Sequence, residues 1–102
     1  MNLEIIRNSI TSEINPILSN NNETKLSSVL IIIFQDSPKI LMIKKPVTMK
    51  HHGGEIAFPG GKLSNEDEDL LDTAIRETLE ETGIRVKRED IIGQLKPVTT
   101  LN

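Results

Sequence analysis

An α/β (α+β) domain is the fold class that three features of the sequence predict: two β-branched apolar runs, a Pro-Gly-Gly segment, and an amphipathic helix marked at both ends. With 102 residues, the chain has room for one hydrophobic core and no second domain. Leu3, Ile6, Ile10 and Ile14 recur at near-helical spacing, so a helix is expected over residues 2–15, closed by Pro16 and the polar stretch 19–24. Val29 to Phe34 is apolar throughout and predicts a strand buried on both faces. Gln35-Asp36-Ser37-Pro38 is turn chemistry, and Ile40 to Ile43 reads as the returning strand of a hairpin. After a polar, basic connection through His51 and His52 comes the short strand Glu55 to Phe58, where Pro59 and Gly60 suit a type II turn and a sharp reversal. From Asp69 to Thr82 the period is helical, with Leu70, Leu71, Ala74, Ile75, Thr78 and Thr82 on the face expected to meet the sheet. Asn65 and Glu68 approximate a capping box at its start, and Gly83 suits a left-handed residue at its end. Ile91 to Leu95, with Val98, reads as a last strand.

Composition removes several classes of function. Without cysteine there is no disulfide, thiolate zinc site or thiol nucleophile, and a reducing cytoplasm is the expected location. The longest apolar run is six residues, where a membrane span needs about 20, so neither an anchor nor a signal peptide is expected. Two aromatics, no Trp or Tyr, and a net charge of −3 leave no stacking platform or basic face for nucleic acid.

The charge is unevenly placed. Eight of the 15 acidic residues lie between Glu66 and Glu81, with Arg76 the only base among them. Lys39, Lys44, Lys45, Lys50 and Lys62 face only Glu55 over residues 39–62. Glu77, Glu80 and Glu81 stand at i, i+3 and i+4 on one helix face. Such a like-charge pair costs an isolated helix about 0.2 to 0.5 kcal/mol, and a divalent cation would reverse the sign. Hard oxygen donors select Mg²⁺ or Mn²⁺ over zinc, and Mg²⁺ commonly completes its shell with water and substrate phosphate. A phosphate-bearing small molecule is therefore the expected ligand. The competing readings are a solvated acidic face for the glutamates, an i,i+4 partner of Glu80 for Arg76, and a polar loop pair for His51 and His52.

Gly61 followed by Glu68 and by Arg76-Glu77-Thr78-Leu79-Glu80-Glu81-Thr82-Gly83-Ile84 resembles the Nudix box, G-x5-E-x7-REUxEExGU with U aliphatic. Thr78 occupies one aliphatic position, and six residues separate Gly61 from Glu68; Asp67 restores that spacing and loses the next. Upstream, Leu41 to Gly61 is similar to the signature of the coenzyme A diphosphatase branch, roughly LLTxRSxxxRxHxGxxxFPGG, at Lys50, His52, Gly54, Phe58, Pro59, Gly60 and Gly61. Lys50 and Lys45 stand where that signature has Arg, Ile43 where it has Thr, and Pro46 where it has Ser or Ala.

The resemblance implies a Nudix hydrolase domain over residues 1–102, with its box over 61–84 and a mixed sheet between helices, whose later strands and final helix are expected to be missing. It implies metal-dependent hydrolysis of a nucleoside diphosphate linked to another moiety, with coenzyme A or acyl-CoA as the substrate. By that resemblance Glu77, Glu80 and Arg76 are catalytic, and Glu77, Glu80 and Glu81 ligate Mg²⁺ or Mn²⁺. Lys45, Lys50, His52, Gly60 and Gly61 bind substrate, and Asp67 or Glu68 forms an outer shell. The rivals are an ADP-ribose or other nucleotide diphosphatase and a non-catalytic nucleotide-binding module. An uncovered apolar strand would leave room for a homodimer.

Overall fold

The structure, a computed structural model, describes residues 26–35, 39–48 and 53–98. The helix expected over 2–15, the turn residues 36–38, and Lys50, His51 and His52 lie outside the described residues. Within them the elements run β1 (Ser27–Val29), β2 (Ile33–Phe34), β3 (Lys39–Ile40), β4 (Ile43–Lys44), β5 (Ile56–Ala57), β6 (Gly60–Lys62), α1 (Leu70–Thr82) and a 3-10 turn (Arg88–Asp90). The α+β class is borne out. No helix among the described residues is long and apolar enough to cross a membrane.

The strands pair in three antiparallel ladders, β1 with β6, β2 with β3, and β4 with β5. The expected hairpin is present: Ile33 faces Ile40, Phe34 faces Lys39, and Leu41 N–H extends the ladder to the Ile32 carbonyl at 3.0 Å. The run Ile40 to Ile43 serves two ladders in turn, because Ile43 and Lys44 pair with Ala57 and Ile56 instead of with the first strand. Pro59, Gly60 and Gly61 also depart from expectation. Gly60 and Gly61 lie within β6, opposite Val29 and Ser28, while the buried Pro59 accepts Leu30 N–H at 2.9 Å. Proline lacks an N–H but keeps its carbonyl, so it serves well immediately before a strand.

Helix α1 packs on β1 and β6. Its innermost side chains are Thr73, Ala74 and Thr78, all small, and the strand β6 on which it packs carries two glycines. Small residues on both sides allow the backbones to approach closely, and Ser28 Oγ donates to the Leu70 carbonyl at 2.6 Å across that contact. A Cβ on Gly60 would overlap the Ser28 carbonyl oxygen, so the β1/β6 contact itself requires glycine there. Burial along the first strand segment alternates instead of being complete: Leu30 is buried, whereas Val29 (53% exposed), Ile31 and Phe34 face out. The expectation of a strand buried on both faces is thus corrected, because among the described elements α1 covers only one side.

Both helix ends are specified, but the N-terminal one is not where spacing placed it. Asp69 is the N-cap, accepting Asp72 N–H at 2.8 Å, and Asp72 in return accepts Glu68 N–H at 3.1 Å. Asn65 and Glu68 do not cap the helix; Ser64 and Asp67 instead close a turn through Ser64 N–H to Asp67 Oδ2 at 2.9 Å and Asp67 N–H to the Ser64 carbonyl at 3.0 Å. Gly83 ends the helix at φ 78°, its N–H donating to the Leu79 carbonyl at 2.9 Å, as expected. The strand expected over Ile91 to Leu95 is not formed; the segment takes part in a single bridge, at Gln94.

Thr78 Oγ1 is buried with no hydrogen-bond partner among the described residues, at the position where the box pattern has an aliphatic side chain. An unpaired buried hydroxyl costs about 1 to 3 kcal/mol, so Thr78→Val should raise stability by about 1 kcal/mol and the melting temperature by several degrees. Differential scanning calorimetry checks this, and an unchanged or lower Tm would show that the hydroxyl is satisfied.

Candidate functional site

The acidic cluster is organised around one guanidinium. Arg76, on the second turn of α1, places Nε on Asp67 Oδ1 and Nη2 on Asp67 Oδ2, both at 2.9 Å, the two-pronged geometry that matches a carboxylate. Nη2 also donates to the Lys62 carbonyl at 3.2 Å, tying the pair to the end of β6. Nη1 turns to the helix face, with Glu77 Oε1 at 3.0 Å and both oxygens of Glu80 at 3.4 Å. The Glu66 carboxylate lies 3.6 Å from Nε at the exposed rim.

Asp67 is the most enclosed of these acids, with 3% of its side chain exposed. It accepts Ser64 N–H and Thr73 Oγ1 in addition to Arg76. The Arg76 hydrogen bonds hold its carboxyl well below the usual carboxylate range, aided by Ser64 and Thr73, against an opposing push from burial. The Asp67 carboxylate in turn raises Arg76 above its ordinary value. Spacing left Asp67 and Glu68 as alternatives. The fork of Arg76 closes on Asp67, while Glu68 is exposed beside the helix cap, with its N–H on Asp72.

The glutamates meet β6 through its glycines. Glu81 Oε1 accepts Gly60 N–H at 2.9 Å. A Cβ on Gly61 would lie 2.5 Å from Glu77 Cδ and 2.8 Å from Glu77 Oε2, so the Glu77 carboxylate occupies the space a side chain would fill. The structure therefore brings Arg76, Glu77, Glu80, Glu81, Asp67, Gly60 and Gly61 together where α1 crosses β6. It does not converge them into a ready ligand set: among the described residues no three acidic or histidine groups are already placed to hold a metal ion. The donor chemistry nonetheless suits a hard divalent cation, since Glu77, Glu80 and Glu81 offer only carboxylate oxygen at one helix face. Lys45 is half-buried in the β4/β5 hairpin, its N–H on the Glu55 carbonyl and its carbonyl accepting Gly54 N–H. Lys50 and His52 lie outside the described residues.

Two contributors escaped the sequence reading. Thr73 donates to Asp67, and Arg88 binds Asp69 and Asp72 from beyond the helix. Thr73 could have been flagged as a polar residue next to the predicted inward face; Arg88 has no spacing signal at all.

The sequence model of the NUDIX domain matches residues 24–102. The chain is 35% identical over 83 residues to the uncharacterized Nudix hydrolase NudL of Photorhabdus laumondii, a match covering 81% of this chain and 44% of that protein. It is 32% identical to the uncharacterized Nudix hydrolase NudL of Cronobacter sakazakii, over 81% of this chain and 43% of that protein. A protein of the same name from Klebsiella aerogenes is 32% identical over 78% of this chain and 67% of its own length. The chain spans less than half the length of the first two relatives. No solved structure gives a significant match.

Two outcomes follow from the geometry. Gly61→Ala should displace Glu77, visible as a shift of its side-chain carboxyl carbon signal in NMR; an unmoved signal would mean that the strand yields instead. Because Asp67 titrates lower in the folded chain than its ordinary 3.8, its contribution to stability is complete above that pH and is lost as the pH falls through the lowered value. Denaturant titrations from pH 5 down to pH 2, a range of about three units around the ordinary carboxylate value, should show stability falling less steeply for Asp67→Asn than for the wild type. Parallel curves would remove Asp67 from the linkage.

Proposed function

The chain belongs to the Nudix family, and from that premise we propose that it carries the carboxylate site of a hydrolase cleaving the diphosphate bond of a nucleoside diphosphate linked to another moiety. The observation that carries this reading is the placement of three carboxylates on the α1 face beside β6, Glu81 on Gly60 N–H, Glu77 against Gly61, and Glu77 and Glu80 both on Arg76 Nη1. The substrate we infer is coenzyme A or an acyl derivative, cleaved to phosphopantetheine and adenosine 3′,5′-bisphosphate. The run from Lys50 to Gly61, with His52, Phe58 and Pro59, supports that choice. A cytoplasmic location accords with a soluble nucleotide substrate and a cysteine-free chain.

Glu77, Glu80 and Glu81 would hold Mg²⁺ or Mn²⁺, in a family that uses divalent metal ions. When bound, such an ion neutralises diphosphate charge and lowers the pKa of bound water. The chain's own residues orient the reaction. Arg76 restrains Glu77 and Glu80 through a single nitrogen, and the bare backbone at Gly61 leaves the Glu77 carboxylate its place. Of the two carboxylates on Arg76 Nη1, Glu80 is more exposed than Glu77 (56% against 23%) and held at 3.4 Å instead of 3.0 Å, so it is the freer of the two to take a proton from the water attacking phosphorus. Lys45, Lys50 and His52 are assigned to the substrate's phosphates; lysine supplies charge there without the bidentate grip of arginine. Asp67 acts behind the site by fixing Arg76.

Mn²⁺ should broaden the NMR signals of Gly60, Gly61 and residues 77–81, and Glu77→Gln and Glu81→Gln should each weaken its binding about tenfold or more, since each removes one charged donor. Broadening centred on His51 and His52, with both variants binding as the wild type does, would contradict the assignment. With Mg²⁺ present, kcat/KM should be higher for coenzyme A than for ADP-ribose. A preference for ADP-ribose of about tenfold, worth about 1.4 kcal/mol of transition-state binding, would reject the coenzyme A reading and leave the hydrolase reading standing.

A further inference from the structure

The loop that presents Asp67 is gripped by two arginines. On one side Arg76 takes Asp67. On the other, Arg88 in the 3-10 turn reaches back to the start of α1, with Nη2 on Asp69 Oδ2 at 2.9 Å and Nη1 on Asp72 Oδ1 at 2.7 Å. A third contact, Nη1 to Asp69 Oδ1, measures 3.4 Å. The Arg88 hydrogen bonds lower the Asp69 carboxyl below its ordinary range and raise Arg88 above its own.

The two grips are linked by short hydrogen-bonded steps. Asp72 Oδ2 accepts the N–H of Glu68, the residue after Asp67. Thr73 bridges Asp69 and Asp67, its N–H donating to the Asp69 carbonyl at 3.2 Å and its Oγ1 to Asp67 Oδ2 at 2.9 Å. Asp69 and Asp72 together cap the helix. Anchoring both acids therefore fixes the backbone from Glu68 to Asp69, and with it the direction in which Asp67 meets Arg76. Helix capping alone does not call for Arg88, because Asp69 and Asp72 are already favoured at a helix N-terminus. What Arg88 adds is a tether from beyond Gly83 that returns along the helix to its first turn.

We propose that Arg88 is a positioning residue of the carboxylate site: by holding Asp69 and Asp72 it keeps Asp67 in two-pronged register with Arg76, and Arg76 in turn aims Glu77 and Glu80. The last step of this chain rests on the metal-binding reading of the glutamates; the first steps do not. Mutations along such a network typically shift coupling by amounts corresponding to about twofold to thirtyfold.

The experiment reads the Arg76 Nε–H signal of the full chain by NMR, in the absence of metal, together with Mn²⁺ affinity. Arg88→Ala should accelerate solvent exchange of that proton about threefold or more and weaken Mn²⁺ binding in parallel. Arg88→Lys, which keeps the charge without the fork, should restore part of the protection. Asp72→Asn should reproduce the loss. Gly83→Ala is the control, since its left-handed φ of 78° makes any side chain there strain the opposite end of the helix. It should lower stability without accelerating Arg76 exchange. Unchanged exchange in Arg88→Ala, or an equal change in Gly83→Ala, would overturn the proposal. Accelerated exchange in Arg88→Ala beside a wild-type chain that binds no Mn²⁺ would uphold the positioning role and reject the metal reading.

Discussion

The Arg76 fork on Asp67 is the interaction on which the site depends. It joins a turn, the end of β6 and the second turn of α1 through one side chain, using the Asp67 carboxylate, the Lys62 carbonyl and the Glu77 and Glu80 carboxylates together. Without a guanidinium at that point, the carboxylates of Glu66, Asp67, Glu77 and Glu80 would crowd one corner of the molecule. With it, the repulsion is partly cancelled, and Glu77 and Glu80 are both held to one guanidinium nitrogen while Glu77 rests against β6. The most enclosed acid is also the one whose carboxyl is held furthest below its ordinary range, as expected where a carboxylate accepts several hydrogen bonds in its charged form.

The second constraint is the closeness of backbone to helix. Thr73, Ala74 and Thr78 on α1 and Gly60 and Gly61 on β6 carry little volume, so packing here brings functional groups near rather than filling a deep interior. Leu30, Pro59 and Ala74 are the buried apolar residues among those described, and several aliphatic side chains on the strands remain exposed. Order at the site accordingly rests on hydrogen bonds and charge, with a thin apolar core beneath it. That balance also explains why a tether such as Arg88 matters: a loop backed by little hydrophobic burial gains its fixed shape from its ion pairs.

Much of this was legible in the sequence, for identifiable reasons. The period of Leu70 to Thr82 and the glycine at 83 encode the helix and its end locally, and the i, i+3, i+4 glutamates could only share a face. Spacing misplaces the N-cap because Ser64, Asn65, Asp67 and Asp69 all carry capping side chains, and only the fold decides that Asp67 turns to Arg76 while Asp69 turns to the helix. Pro59-Gly60-Gly61 reads as a turn by propensity, yet pairing with Ser28 and Val29 makes the glycines a strand. The apolar run at 29–34 signals burial, but burial needs a partner for each face, and the run cannot state which partner is present. Arg88 was invisible because its acids lie 16 and 19 residues away, a separation set by the whole length of α1 and the chain that returns along it.

The most direct test of the central claim is a double-mutant cycle on folding stability with Asp67→Asn, Arg76→Lys and both together. If Arg76 and Asp67 act as one unit, either substitution removes most of the shared stabilisation, and the double variant is little less stable than the weaker single one. Losses that simply add would mean that the two side chains act independently, and the guanidinium could not then be the organising centre of the site.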